Sequence, residues 1–268
     1  MFPKCISQRK VREILCSPEP FWAICQTLIK KIGDLPFFPY LVINQIRFRL
    51  VINLSSTVSI AHDYLLQMRD EVLQLNPVLF RRNLVRFSQI MGYEISKSLR
   101  YEPVKTVTPL GVADTNRLAD KVVLGTIIRA GLPMHEGLLS VFDLAENAFI
   151  SAYRQHHKDG TFEVSLEYIS SPDLDHKVLI LCDPMLATGA SVVRALEALM
   201  EYGTPREIHV VAVVGSSAGL EHVQLKYPDV KIWVGAEDEE LTAKSFIVPG
   251  LGDAGDLAYG PKEMEETE

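Results

Sequence analysis

The sequence has few cysteines and no long hydrophobic run, and each shortage excludes a class of protein. Its four cysteines lie at spacings that match neither a zinc knuckle nor a CxxC redox pair. No window reaches the roughly 18 apolar residues of a membrane span, because Arg47 and Arg49 interrupt the most hydrophobic stretch. Residues 1–20 also lack the continuous apolar centre of a signal peptide. We therefore expect a reduced, cytoplasmic protein with no membrane partner. The cysteines are Cys5, Cys16, Cys25 and Cys182.

Basic residues are also in short supply. The 27 lysines and arginines are outnumbered by 34 aspartates and glutamates, which gives a net charge of −7. Binding along a phosphate backbone needs a net basic face, so this balance argues against nucleic acid as a partner. It still allows a local pocket for one small anion. With 47% hydrophobic residues, the 268-residue chain can bury one large core or two small ones.

Three regions differ in composition. Prolines break residues 1–50 into short apolar pieces, so we predict an N-terminal extension of unknown role there. Residues 51–262 carry regular helical and strand patterns and form the predicted working domain. The sequence EMEETE at 263–268 is predicted to be a solvated acidic tail.

The patterns within 51–262 predict an α/β fold. Apolar spacing indicates helices over 58–68 and 77–99, with Arg81, Arg82 and Arg86 on a solvated face, and a strand pair over 104–113. Continuous apolar runs then alternate with helical segments, which is typical of a doubly wound, mostly parallel sheet. In such a sheet ligands bind beyond the carboxyl ends of the strands, here after Ile128, Leu181 and Val214. The runs are VVLGTII, VLIL, IHVVAVV and KIWVGA.

One segment has a different period. Residues 162–168, FEVSLEY, alternate apolar and polar residues, as a half-exposed strand does. We predict that they pair antiparallel with residues 148–153 to form a flap.

The strongest chemical signal is the segment VLILCDPMLATGASVVRAL at 178–196. A buried strand ends at Asp183, a loop carries Thr188, Gly189 and Ser191, and an amphipathic helix follows at once. Backbone N–H groups and the positive end of a helix dipole then point to one place, which suits a phosphomonoester. A plain strand-to-helix turn is the alternative. The segment is not a Walker A loop, because it has no GxxxxGK[ST] pattern.

The string DPMLATGAS resembles the phosphoribosyl pyrophosphate (PRPP) loop of type I phosphoribosyltransferases, and specifically of the uracil phosphoribosyltransferase family. Three other segments agree in order and spacing: IIRAGLPM, AYRQ and FIVPGLGDAGDLAYG. The resemblance covers residues 51–262. It implies a glycosyltransferase of pyrimidine salvage, which converts uracil and PRPP to UMP and diphosphate.

The resemblance also implies roles for individual residues. Arg129, Asp183 and Asp253 are the implied catalytic residues: Arg129 contacts diphosphate, Asp183 holds the ribose hydroxyls, and Asp253 lies near the reacting carbon. Arg154 is the implied flap arginine over the donor. The implied PRPP loop comprises Asp183, Pro184, Met185, Leu186, Ala187, Thr188, Gly189, Ala190 and Ser191. Uracil is implied to bind main-chain atoms of Ile247 and Gly252, beside Asp253 and Ala254.

Four residues depart from a common form of the family pattern: Pro133, Gln155, Cys182 and Ala190. Cys182 lies where many type I relatives have a second acid, so we expect no protein ligand for Mg²⁺ and expect the ion to arrive on the diphosphate of PRPP. The resemblance suggests a homo-oligomer and leaves GTP open as an effector. Three alternatives remain: a non-catalytic regulator that senses nucleotides or PRPP on the same fold, an inactive relative that uses the pocket for assembly, and the same enzyme class with another base.

Overall fold

The computed structural model describes residues 50–156 and 162–261, and the labels below number the helices and strands within them. The predicted extension therefore lies outside the described residues except for Leu50, as do the tip of the flap and the acidic tail. The carbonyl of Leu50 accepts a hydrogen bond from the amide of Ile232 at 2.8 Å.

The main sheet has the order β1-β10-β9-β7-β4-β5-β6, and the short β8 pairs with β9. Every neighbouring pair is parallel except β5 and β6. The prediction of a mostly parallel sheet with an antiparallel flap is confirmed. The strands are β1 Val51–Asn53, β4 Val122–Ile128, β5 Glu146–His156, β6 Phe162–Ser170, β7 Val178–Cys182, β8 Met185–Leu186, β9 Glu207–Ser216 and β10 Lys231–Asp238.

Two further strand pairs lie off the main sheet. Strands β2 Tyr101–Thr108 and β3 Gly111–Leu118 form an antiparallel hairpin, longer than the predicted 104–113 pair, and β11 Glu240–Leu241 pairs with β12 Ile247–Val248. Nearly every hairpin residue is exposed, including the apolar side chains of Val107 and Leu110.

The two predicted N-terminal helices are present. Helix α1 (Ile60–Arg69) starts with a capping box at Ser59, and α2 (Pro77–Ser96) has Pro77 in its first turn and Asn76 as its cap. The other helices are α3 Leu132–Leu139, α4 Ala190–Leu199, α5 Ser217–Lys226 and α6 Ala254–Tyr259. Helices α3 and α6 were not predicted, because eight and six residues are too few for a clear helical period.

Each face of the sheet packs against its own hydrophobic cluster. One cluster contains Ile180 and Val211 with side chains of α1, α2, α3 and α6, while the other contains Leu179 and Val210 with side chains of α4 and α5. Successive residues of a strand point to opposite faces, so both faces must be apolar. Among the described residues, no helix is both long and apolar enough to cross a membrane.

Candidate active site

The predicted ligand loops meet at one edge of the sheet. Strand β7 lies between β4 and β9, and all three run parallel, so the loops that follow them emerge side by side. The three loops predicted to bind ligands therefore lie together at the carboxyl ends of the strands, and ligand binding there remains a prediction.

The loop after β7 forms a small concave surface lined by Asp183 and residues 185–192. We call these residues, together with Pro184, the phosphate cradle. Gly189 has φ +75° and precedes α4 without a side-chain cap, so the first-turn amides of α4 receive no capping bond from it. Ala190, which replaces a family glycine, is the first residue of α4, where alanine is unstrained. The cradle therefore has the geometry of an anion site.

Helix α5 fixes the shape of the cradle from behind. Ser216 Oγ donates to the carbonyl of Ala187, and the amide of Gly219 donates to Ser216 Oγ at 2.9 Å. His222 Nδ1 lies 2.8 Å from the carbonyl of Thr188, and it must be the donor because a carbonyl only accepts. A Cβ on Gly219 would lie 2.2 Å from the carbonyl oxygen of Ala187. Sequence analysis did not identify these supports, which belong to a different strand-to-helix turn.

Arg129 begins the loop after β4 and points to the C-terminal helix. Its Nη2 donates to Asp256 Oδ1 at 3.1 Å and to the carbonyl of Gly260 at 3.2 Å. Its Nε is buried and, among the described residues, has no hydrogen-bond partner. The same loop packs tightly on the end of β7, since a Cβ on Gly131 would lie 3.1 Å from the carbonyl oxygen of Cys182. The guanidinium is thus held at a defined place, with one donor still to be satisfied.

Residues 247–254, which we call the base loop, lie next to Arg129. A Cβ on Gly255 would lie 3.2 Å from Asp253 Oδ1 and 3.8 Å from Arg129 Nη2, so these two predicted catalytic side chains are neighbours. Ile247 and Ala254 are buried, whereas Gly252 is exposed with φ +85°. The loop therefore offers main-chain atoms of Gly252 to a ligand, as recognition by backbone requires.

Asp253 has a structural role that sequence analysis missed. Its carboxylate caps α6 by accepting from the amides of Gly255 at 2.9 Å and Asp256 at 3.0 Å. An aspartate just before a helix is a common N-cap, so this role could have been predicted from the sequence. Its predicted role at the reacting carbon remains a prediction.

Only the backbone of the predicted flap arginine, Arg154, is described by the structure. Arg154 pairs with Val164 in the β5–β6 register, so it belongs to the flap. Its side chain is outside the described part of the structure, and its contact with the donor remains a prediction.

Cys182 cannot act as the second acid of this site. Burial raises the pKa of its thiol to about 12, and Sγ donates to the carbonyl of Gly131 at 3.8 Å. Within residues 50–156 and 162–261, no three His, Cys, Asp or Glu side chains are grouped so that they could hold a metal ion. The donor set around the cradle therefore suits an anion, with Asp183 as its one carboxylate.

Arginines of α1 and α2 also reach the C-terminal segment. Arg81 Nη1 donates to the carbonyl of Ala258 at 2.5 Å, and its guanidinium lies 5.8 Å from the ring centroid of Tyr259. The prediction that Arg81 lies on a solvated face is wrong, because folding brings α6 against that face. Arg82 is exposed as predicted.

A family model and the curated relatives that match this chain name the same family. The family model for uracil phosphoribosyltransferase matches residues 56–261. The uracil phosphoribosyltransferase of Porphyromonas gingivalis is 46% identical over 213 residues, which cover 79% of this chain and 99% of the relative. That of Pyrococcus furiosus is 39% identical over 201 residues, covering 74% and 85%. The solved structure of the AQ2163 protein from Aquifex aeolicus is 28% identical with a TM-score of 0.72, covering 80% of this chain and all of the other.

Proposed function

Because the chain belongs to the uracil phosphoribosyltransferase family, we propose that it transfers the 5-phosphoribosyl group of PRPP to N1 of uracil in the site described above. The bond between ribose C1 and the diphosphate oxygen breaks, the bond from C1 to N1 forms, and N1 loses its proton. The products are UMP and diphosphate, and the reaction belongs to pyrimidine salvage.

One observation carries the proposal: Arg129 lies in the loop that packs on the strand leading into the phosphate cradle, and its guanidinium contacts the helix that follows the base loop. The strand is β7, and the guanidinium lies beside Gly255 and Asp256. A donor held by its 5′-phosphate at residues 187–191 then has Arg129 available for its diphosphate, with uracil on the far side of the ribose.

Catalysis in this proposal is mainly electrostatic. Departure of the diphosphate runs ahead of attack by N1, so the sugar becomes cationic while negative charge grows on the leaving group. Arg129 stabilises the leaving group, whereas the carboxylates of Asp183 and Asp253 favour the cationic sugar. The flap with Arg154 excludes water that would otherwise capture the sugar.

We propose that Mg²⁺ enters with PRPP, bound mainly by substrate oxygens and water. The neutral, buried thiol of Cys182 supports this assignment, since it leaves Asp183 as the carboxylate of the cradle. When bound, the ion supplies charge neutralisation at the diphosphate.

The base loop is the proposed basis of uracil selectivity. Main-chain atoms of Ile247 and Gly252 would pair with the amide edge of uracil, beside Asp253 and Ala254. Cytosine reverses two of those donor and acceptor positions, and the buried groups left unpaired would disfavour it.

The exposed β2–β3 hairpin supports a homo-oligomer. An isolated two-stranded hairpin is marginally stable in water, and this one exposes Leu110 fully and Val107 to 85%. A second copy of the chain would cover these side chains, and light scattering of the wild-type protein and of Leu110→Glu tests this.

We retain GTP as a candidate effector, tested by adding it to the assay of UMP formation. We also propose the cytoplasm as its location, and residues 51–262 as the catalytic domain.

The decisive experiment measures UMP formation from PRPP, Mg²⁺ and uracil, with cytosine, orotate, hypoxanthine and xanthine in parallel. We expect product from uracil alone. Arg194→Ala is the control for loss of the catalytic Arg129. It removes a half-exposed arginine of α4 that pairs with Glu197 at 2.9 Å, and it should leave UMP formation unchanged. If PRPP binds but no base gives product, the regulator alternative replaces this proposal.

A further inference from the structure

Both main-chain polar groups of Gly250, in the middle of the base loop, are bound by one ion pair. The amide of Gly250 donates to Asp238 Oδ2 at 3.0 Å, and Arg69 Nη1 donates to the carbonyl of Gly250 at 3.2 Å. Arg69 and Asp238 also bind each other through two bonds, of 3.0 and 2.9 Å. The side chain of Asp238 is 7% exposed, so its carboxylate is buried and its bonds to Arg69 and Gly250 replace those it would make with water.

The next residue is held as well. With the amide of Gln74 oriented to satisfy its surroundings, its nitrogen donates to the carbonyl of Leu251 at 2.7 Å and to that of Met68 at 3.2 Å. The carbonyls of Gly250 and Leu251 thus both accept hydrogen bonds from side chains at the end of α1 or just after it, those of Arg69 and Gln74.

These contacts fix the separation of the two ends of the base loop. Gly250 has φ +56°, and a Cβ on it would lie 2.2 Å from the carbonyl oxygen of Ile247, so the turn is tight. Ile247 stands before this turn and Gly252 after it, and both belong to the proposed uracil edge. A small rotation of the Gly250 peptide would therefore change the spacing of the atoms that face the base.

We propose that Arg69 and Asp238 are positioning residues that set the geometry of the uracil edge and so determine affinity for the base. The proposal rests on the function proposed above. It assigns them no contact with substrate: they act through the main chain of Gly250.

Asp120 provides a matched control for Asp238. It is also 7% exposed, accepts the amide of Arg100 at 2.8 Å, and pairs with the side chains of Arg100 and Arg206 at 2.7 Å. It lies just before β4, at the opposite end of the strands from the site. Both are buried carboxylates that accept a main-chain amide and pair with arginine, Asp120 with two arginines and Asp238 with one, but Asp238 binds the base loop and Asp120 does not.

The test compares Asp238→Asn with Asp120→Asn in the full chain. An asparagine with its oxygen at the Oδ2 position can still accept from Gly250 and Arg69 Nη1, but its NH₂ group then faces the donor Arg69 Nη2, and the negative charge of the ion pair is lost. We expect Asp238→Asn to raise KM for uracil at least about tenfold while KM for PRPP stays within about twofold. Asp120→Asn should lower the thermal midpoint without changing either KM.

Arg69→Lys is the second variant, used if Asp238→Asn does not fold by circular dichroism. Lysine keeps the charge but loses the two-pronged geometry, so KM for uracil should again rise selectively. For Arg69→Ala, added methylguanidinium should restore part of the lost affinity for uracil.

The outcomes separate the two proposals. Wild-type protein that forms no UMP defeats the proposed function. If the wild-type protein is active but the Arg69 and Asp238 variants keep its KM for uracil, the positioning role alone is overturned. The same holds if KM for uracil rises equally in Asp120→Asn.

Discussion

His209 should make the protein lose stability as the pH falls from 7.5 to 5. Its side chain is completely buried in β9, and Trp233 Nε1 donates to its Nδ1 at 2.9 Å. Nδ1 is therefore an acceptor, and the neutral ring carries its proton on Nε2. A second proton would have to bind at Nδ1 and displace the Trp233 bond. Burial lowers the pKa of His209 from 6.5 to about 4.

The sign of the effect follows from proton uptake on unfolding. Above about pH 7.5 the histidine is neutral in both states and contributes no pH dependence. Between pH 6.5 and 4 the unfolded chain binds a proton that the folded protein rejects, so the free energy of unfolding falls as pH falls. The difference between 6.5 and about 4 corresponds to roughly 3 kcal/mol, of which about 2 kcal/mol is lost by pH 5.

Urea unfolding at several pH values, at one fixed protein concentration, measures this loss. His209→Gln is the reference, because its side-chain oxygen can still accept from Trp233 but does not titrate. Burial is the largest single influence on nearby Glu207 and raises its pKa, but the hydrogen bond from Lys231 and the positive charges of His209, Lys231 and Arg206 together lower it. Glu207 therefore contributes little above pH 5. Equal pH dependence in the wild-type protein and His209→Gln would refute this reasoning.

Three further predictions follow from the site and the core. Arg129→Ala should reduce kcat at least about 100-fold, since it removes a charge from the leaving group; its thermal midpoint should hardly change, because its pair with Asp256 is 33% and 43% exposed. A fully active variant would contradict its role. Gly219→Ala should weaken PRPP binding in calorimetry, because the added Cβ would lie 2.2 Å from the carbonyl oxygen of Ala187 and push the cradle; unchanged affinity would mean that α5 does not shape the cradle. Leu84→Ala removes a fully buried side chain of α2 and should cost about 2–5 kcal/mol in urea unfolding. A decrease in the free energy of unfolding below about 1 kcal/mol would show that the core around residue 84 repacks.

The longer strands and the cradle could be predicted because their signals are local, whereas the two- and three-residue strands β1, β8, β11 and β12 were not predicted. A run such as VVLGTII has no alternation of apolar and polar residues because both faces of β4 are covered, and no neighbouring element need be known to recognise it. The cradle is equally local: a buried strand, a short loop with Gly189, and the start of a helix are consecutive in the chain. The flap was predicted from its period of two.

What the tertiary structure alone decided is which side chains meet. Arg69 and Asp238 are 169 residues apart, and Arg129 and Asp256 are 127 apart, so no spacing in the sequence connects them. Arg81 shows the same limit, because its partner is a main-chain carbonyl, which every residue possesses and no sequence pattern marks. Hydrogen bonds depend on distances of about 3 Å between particular atoms, and only packing of the whole sheet and its helices sets those distances. The sequence determined the elements and the chemistry they carry, whereas the fold determined how the base loop is held.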